Sequence, residues 1–100
     1  MASWADKAIK DLEEGKKVTV TPAGNSMTPV IRNRQQVNLR PLEKGEILKR
    51  GMIVLVSMNT RTVYLHKISA VSKDRVQISN NHGHANGWTK KTNVHGIAEL

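Results

Sequence analysis

The spacing of apolar residues changes period at Gly15, and that change decides what this chain can fold into. Before Gly15, Trp4, Ala8, Ile9 and Leu12 recur at helical spacing, and Ser3 with Asp6 forms a Ser-x-x-Asp capping box in which each side chain meets a free backbone N–H. The spacing predicts an amphipathic helix over residues 3–14 with Trp4 as a core anchor, and Gly15 supplies the left-handed residue that ends it. After Gly15 the pattern is that of strands. Residues 18–21 alternate, and 36–39 form a short strand closed by Pro41. Residues 42–50 read as a polar loop or a helical turn. Residues 52–58 are apolar on both faces, which predicts a central strand. Asn59-Thr60 reads as the tip of a hairpin leading into a strand over 62–70. Asp74 sits in the turn before a strand over 75–79, residues 80–93 read as a loop rich in Gly, Asn and His with Trp88 packing it onto the sheet, and a strand over 94–99 closes the sheet. The expected fold is mostly β: one small coiled sheet, barrel-like, with a single leading helix and one domain over residues 1–100.

Composition narrows the classes. One hundred residues make one small core. The chain has no Phe, so the core must rest on Val, Ile, Leu and Met. It has no Cys, which excludes disulfides and thiolate metal sites. The longest apolar run, 52–56, is far too short to span a bilayer, and the N-terminus has no basic-then-apolar signal pattern. A soluble, cytoplasmic protein is expected. The net charge of +8 is uneven. Residues 1–15 carry Asp6, Asp11, Glu13 and Glu14 against Lys7 and Lys10, so the remainder carries all the excess positive charge. Such a field attracts polyanions, and nonspecific nucleic-acid binding is one expected property.

The residues that carry chemistry lie far apart in sequence. Ser26 follows a turn containing Gly24, which suits an exposed hydroxyl. His66 lies on an apolar strand, where alternation sets Tyr64, His66 and Ile68 on one face and Val63, Leu65 and Lys67 on the other. A buried histidine there stays neutral and can act as a base. A register shift of one residue would offer Lys67 instead. The His82-Gly83-His84 run and His95 invite a metal reading, but no Asp, Glu or Cys stands beside them, and no metal or cofactor is expected.

The words around these residues resemble the superfamily of type I signal peptidases and LexA-like self-cleaving repressors. Gly24-Asn25-Ser26-Met27-Thr28-Pro29 is similar to the family's Gly-x-Ser-Met-x-Pro nucleophile run. Leu65-His66-Lys67-Ile68 is similar to the histidine form of its base strand. Gly51-Met52-Ile53-Val54 resembles the central Gly-Asp-Ile-Val strand, with Met52 in place of Asp. Ile78-Ser79-Asn80-Asn81, followed by Asn86-Gly87-Trp88 and Val94-His95-Gly96-Ile97-Ala98, resembles the closing loop and last strand, with Asn80 in place of the loop's Asp, and Gln35-Gln36 replaces a Gly-Asp turn. The resemblance covers roughly residues 18–100 and includes neither the membrane anchor of a signal peptidase nor the DNA-binding domain of a repressor. It implies a serine peptidase domain in which Ser26 is the nucleophile and His66 the general base. The Ser26 N–H would serve the oxyanion, and Asn80 would orient the histidine. The substrate would be an extended segment of a peptide or protein. The alternative is a catalytically inactive copy of the fold that binds protein or nucleic acid through its basic surface.

Overall fold

The computed structural model describes residues 4–58 and 62–100, with Trp4 described by its backbone alone. The Ser3 cap, the Trp4 anchor and the Asn59-Thr60 hairpin tip lie outside the described residues. The chain runs α1 (Trp4–Glu13), β1 (Val18–Val20), β2 (Val37–Arg40), β3 (Ile53–Ser57), β4 (Val63–Val71), β5 (Arg75–Ser79), β6 (Ala85–Lys90), a short 3-10 turn (Lys91–Asn93) and β7 (Val94–Glu99). The strands form one antiparallel sheet in the order β1-β2-β7-β3-β4-β5-β6. As the doubly apolar pattern predicts, β3 is central, and β4 pairs beside it from Ile53↔Lys67 to Ser57↔Val63. The sheet coils but does not close into a barrel: β1 and β6 remain its two edges. Register shifts in the β3–β7, β4–β5 and β5–β6 pairs mark bulges, which bend and twist strands locally. No helix among the described residues is long and apolar enough to cross a membrane.

β3 is apolar on both faces because both faces are covered. On one side Ala8 and Leu12 of α1 pack with Val20, Val37, Leu39, Ile53, Leu55 and Leu65. Met27 and Ile31, from the long turn after β1, are buried in the same cluster. On the other side Val54, Val56, Ile68, Val76, Ile78 and Ile97 form a second cluster, closed by Leu48 from the loop after β2. That loop is tied back by Arg40, whose guanidinium grips Glu46 through two hydrogen bonds of 2.8 and 2.6 Å. The pair holds the Glu46 carboxyl down at about 2.

The residues read as an 80–93 loop instead contain β6, paired to β5 from Arg75↔Lys90 to Ser79↔Ala85. An edge strand with one solvated side needs little apolar content, so composition hid it. Trp88 consequently stands opposite Gln77 on a strand.

α1 approaches the sheet over Gly96. A Cβ there would lie 2.8 Å from Leu12 Cδ1 and 3.0 Å from the Arg40 carbonyl oxygen. The carbonyl belongs to a paired strand and cannot yield as a side-chain tip can. Gly96→Ala is expected to cost about 1–3 kcal/mol by forcing the helix outward, measured as a lower urea midpoint with an unchanged slope.

Candidate active site

The Ser26 turn is built to hold one hydroxyl at the sheet. Gly24 has φ +105°, a conformation open to glycine and strained for other residues. Its N–H donates to Asn33 Oδ1 at 2.7 Å, and the Arg34 N–H closes the loop onto the Pro22 carbonyl at 2.8 Å. Met27 and Ile31 anchor the turn in the core, with the Ile31 N–H donating to the Met27 carbonyl at 2.9 Å. Ser26, beside Met27, is left at the surface.

The fold brings the serine and histidine, forty residues apart, into hydrogen-bond contact. Ser26 Oγ lies 3.0 Å from His66 Nε2. His66 Nδ1 lies 2.7 Å from Asn86 Oδ1. The amide oxygen accepts only, so Nδ1 carries the proton and Nε2 is free to accept from the Ser26 hydroxyl. This is the tautomer that a general base needs. Tyr64 stacks on the imidazole, ring centroids 4.6 Å apart and planes 17° from parallel. His66 is 6% exposed. Burial pushes its pKa below the ordinary 6.5; the Asn86 hydrogen bond opposes this, and His84 adds to the lowering. Lys67 lies on the opposite face of β4 by alternation and donates to Asn81 Oδ1 at 3.4 Å.

The side chain that meets His66 Nδ1 is that of Asn86, where Asn80 was expected. Asn80 Oδ1 accepts the backbone N–H groups of His82 and His84 at 2.8 and 3.0 Å, so it shapes its own loop. That loop clamps the Ser26 turn. The Asn81 N–H donates to the Ser26 carbonyl at 2.8 Å, Asn81 Nδ2 to the Thr28 carbonyl at 2.9 Å, and His82 Nε2 to the Asn25 carbonyl at 2.8 Å. His82 is thus a latch between two loops. Neither role could be read from local sequence, because both depend on contacts more than fifty residues distant. Asn86 stands in the run that resembles the family's closing loop, but reading that run as loop hid its contact with His66; the β-prone Trp88-Thr89 pair beside it was the available signal of a strand.

A second Ser–His contact exists: Ser57 Oγ lies 2.6 Å from His95 Nε2. Hydrogen bonding alone therefore does not define a site. Beside Ser26 runs a groove lined by Thr21, Pro22, Ala23, Val63, Tyr64, Leu65 and His66. One wall of the groove is a bare strand edge. β5 pairs with β4 only from Lys67 onward, so residues 63–66 have β3 on one side and no strand on the other among the described residues. The Ile68 N–H and carbonyl turn toward the β3 side, to Met52 and Gly51. Alternation then turns the peptide groups of Val63 and Leu65 toward the groove. A smaller recess lined by Pro22, Ala23, Gly24, Met27, Ile31 and Leu65 opens next to Ser26. Among the described residues no three His, Cys, Asp or Glu side chains converge as a metal site would require.

The acid limb of any His66-dependent activity should fall below pH 6.5, because a base with a lowered pKa stays neutral further into acid. His95 is lowered too, with burial as the main cause and Glu13 opposing. Both groups refuse protons that the unfolded chain accepts. Their contribution to stability is therefore complete above pH 6.5 and is lost as pH falls below it. A pH–rate profile and a pH series of urea midpoints check the two statements separately.

No protein family, curated protein or solved structure matches this chain in comparisons of sequence and fold.

Proposed function

We propose that this chain is a signal-peptidase/LexA-like serine peptidase domain, working in the cytoplasm on an extended peptide segment. The observation that carries this reading is the relay Ser26 Oγ–His66 Nε2 and His66 Nδ1–Asn86 Oδ1, at 3.0 and 2.7 Å, on the wall of an open groove. The substrate adds as a strand to the free edge of residues 63–66, where the Val63 and Leu65 peptide groups hold its backbone. The small recess beside Ser26 takes a small side chain next to the scissile bond. His66 withdraws the hydroxyl proton as Ser26 Oγ attacks the carbonyl carbon, and the Ser26 N–H stabilises the oxyanion. The same proton passes from His66 to the leaving amine, the C–N bond breaks and an acyl-enzyme remains. Water, deprotonated by His66, releases the acid and restores the serine.

One observation favours a second reading, an inactive copy that binds through its basic surface: Asn86 cannot carry the negative charge that stabilises an imidazolium. Incubation with a mixed-sequence peptide library, read by mass spectrometry, separates the two. The peptidase reading expects new termini that share a small residue before the cut and vanish in Ser26→Ala. Absence of Ser26-dependent products across the library would leave the binding module.

A further inference from the structure

The outer side of the β5–β6 edge carries a tryptophan in a basic field. Register sets Gln77 opposite Trp88 and Arg75 opposite Lys90. The alternating neighbours Val76, Ile78 and Thr89 are buried, so Arg75, Gln77, Trp88 and Lys90 all face the other way. Trp88 is 44% exposed. Beside it Ser69 links Gln77 Oε1 and Ser79 Oγ at 3.1 and 2.7 Å in a polar row. Lys67, paired with Ser79, extends the row. Lys73 and Lys91 stand at the adjoining turn, where Lys91 Nζ donates to the Lys73 carbonyl. Asp74 is the one acid in the sequence between residues 62 and 98. Among the described residues these five cations make no ion pair.

Charge alone would serve solubility, and it would need no large aromatic. An exposed indole on an antiparallel sheet, with a cation two residues along its own strand and another on the neighbouring strand, has the parts of a base-stacking platform. We propose that the outer face of β5–β6 binds single-stranded nucleic acid, with Trp88 stacked on a base and Arg75 and Lys90 on the flanking phosphates. A duplex keeps its base faces inside the stack and cannot use the indole. An acidic peptide could use the cations but has no base for Trp88 to stack on. The proposal stands apart from the Ser26 groove and does not depend on it.

The test is fluorescence anisotropy of a labelled oligothymidylate across a salt series, beside a duplex of equal length and with poly-glutamate as competitor. The single strand should bind more tightly than the duplex. Trp88→Ala should weaken it about 10- to 100-fold, and Trp88→Phe should restore most of the loss. Arg75→Ala and Lys90→Ala should each lower the slope of log affinity against log salt by about 0.7. Arg75 and Lys90 are exposed, so their variants should keep the parent's urea midpoint, and the same measurement shows that the Trp88 variants are folded. Unchanged affinity in Trp88→Ala overturns the proposal. So does duplex binding as tight as the single strand, poly-glutamate binding with the same Trp88 dependence, or no binding at low salt.

Discussion

Ser26→Ala and His66→Ala are each expected to lower single-turnover cleavage of a cognate peptide by on the order of 10⁴- to 10⁶-fold, and the double variant to lose no more than the worse single. The magnitude follows from what each group does. Without Ser26 Oγ no acyl-enzyme forms. Without His66 the hydroxyl keeps its proton and is a poor nucleophile at neutral pH. Because nucleophile and base act as one unit, the second removal has little left to remove. Ser57 and His95 supply a matched control, since they form the same kind of contact at 2.6 Å away from the groove. Ser57→Ala and His95→Ala should leave the rate within a few-fold. Full activity in Ser26→Ala, or loss in Ser57→Ala equal to that in Ser26→Ala, would contradict the assignment.

Asn86→Asp carries the second large effect, and it is a gain. Asn86 Oδ1 already holds Nδ1 of His66 at 2.7 Å and so already selects the productive tautomer. It lacks only the charge that stabilises the imidazolium formed as the serine attacks. In Ser-His-Asp triads, replacing the Asp by Asn costs about 10⁴, part of it through the wrong tautomer. Here the tautomer is correct, so the gain should be smaller, about 10- to 1000-fold in the acylation rate. A carboxylate beside His66 also raises its pKa. The base is then protonated at higher pH, and the acid limb of the pH–rate profile should move upward even as the plateau rises. Asn80→Asp should do neither, because Asn80 faces the N–H groups of its own loop. A gain from Asn80→Asp with none from Asn86→Asp would reverse the assignment of the orienting residue.

These expectations divide along the line between local and long-range information. The helix, β3, β5 and β7 were legible because their apolar spacing reports burial directly. β3 is the clearest case, since Val54, Leu55 and Val56 could be apolar in succession only with cover on both faces. β4 showed the face of His66, and burial and the Tyr64 stack follow from the same alternation. The contact of Ser26 with His66 was not legible from spacing; only the resemblance of the surrounding words suggested it. β6 was missed because Gly, Asn and His dominate its approach and only Thr89 of the strand is buried. Reading β6 as loop concealed the reach of Asn86, which the bulge between the Ile78–Gly87 and Ser79–Ala85 pairs leaves without a directly paired partner. His82 looked like a potential ligand and is a latch, because its partner is a backbone carbonyl that no sequence pattern marks.

The central claim is that His66 activates Ser26. A fluorophosphonate tests it without a known substrate: Ser26 Oγ attacks phosphorus, fluoride leaves, and His66 takes the proton. Intact-mass and peptide mapping should show one adduct per chain, on the peptide that contains Ser26. Its rate should hold at neutral pH and fall below pH 6.5 with protonation of His66. The adduct should disappear in His66→Ala and persist in His95→Ala. No adduct on Ser26, or one that forms equally fast in His66→Ala, would contradict the account.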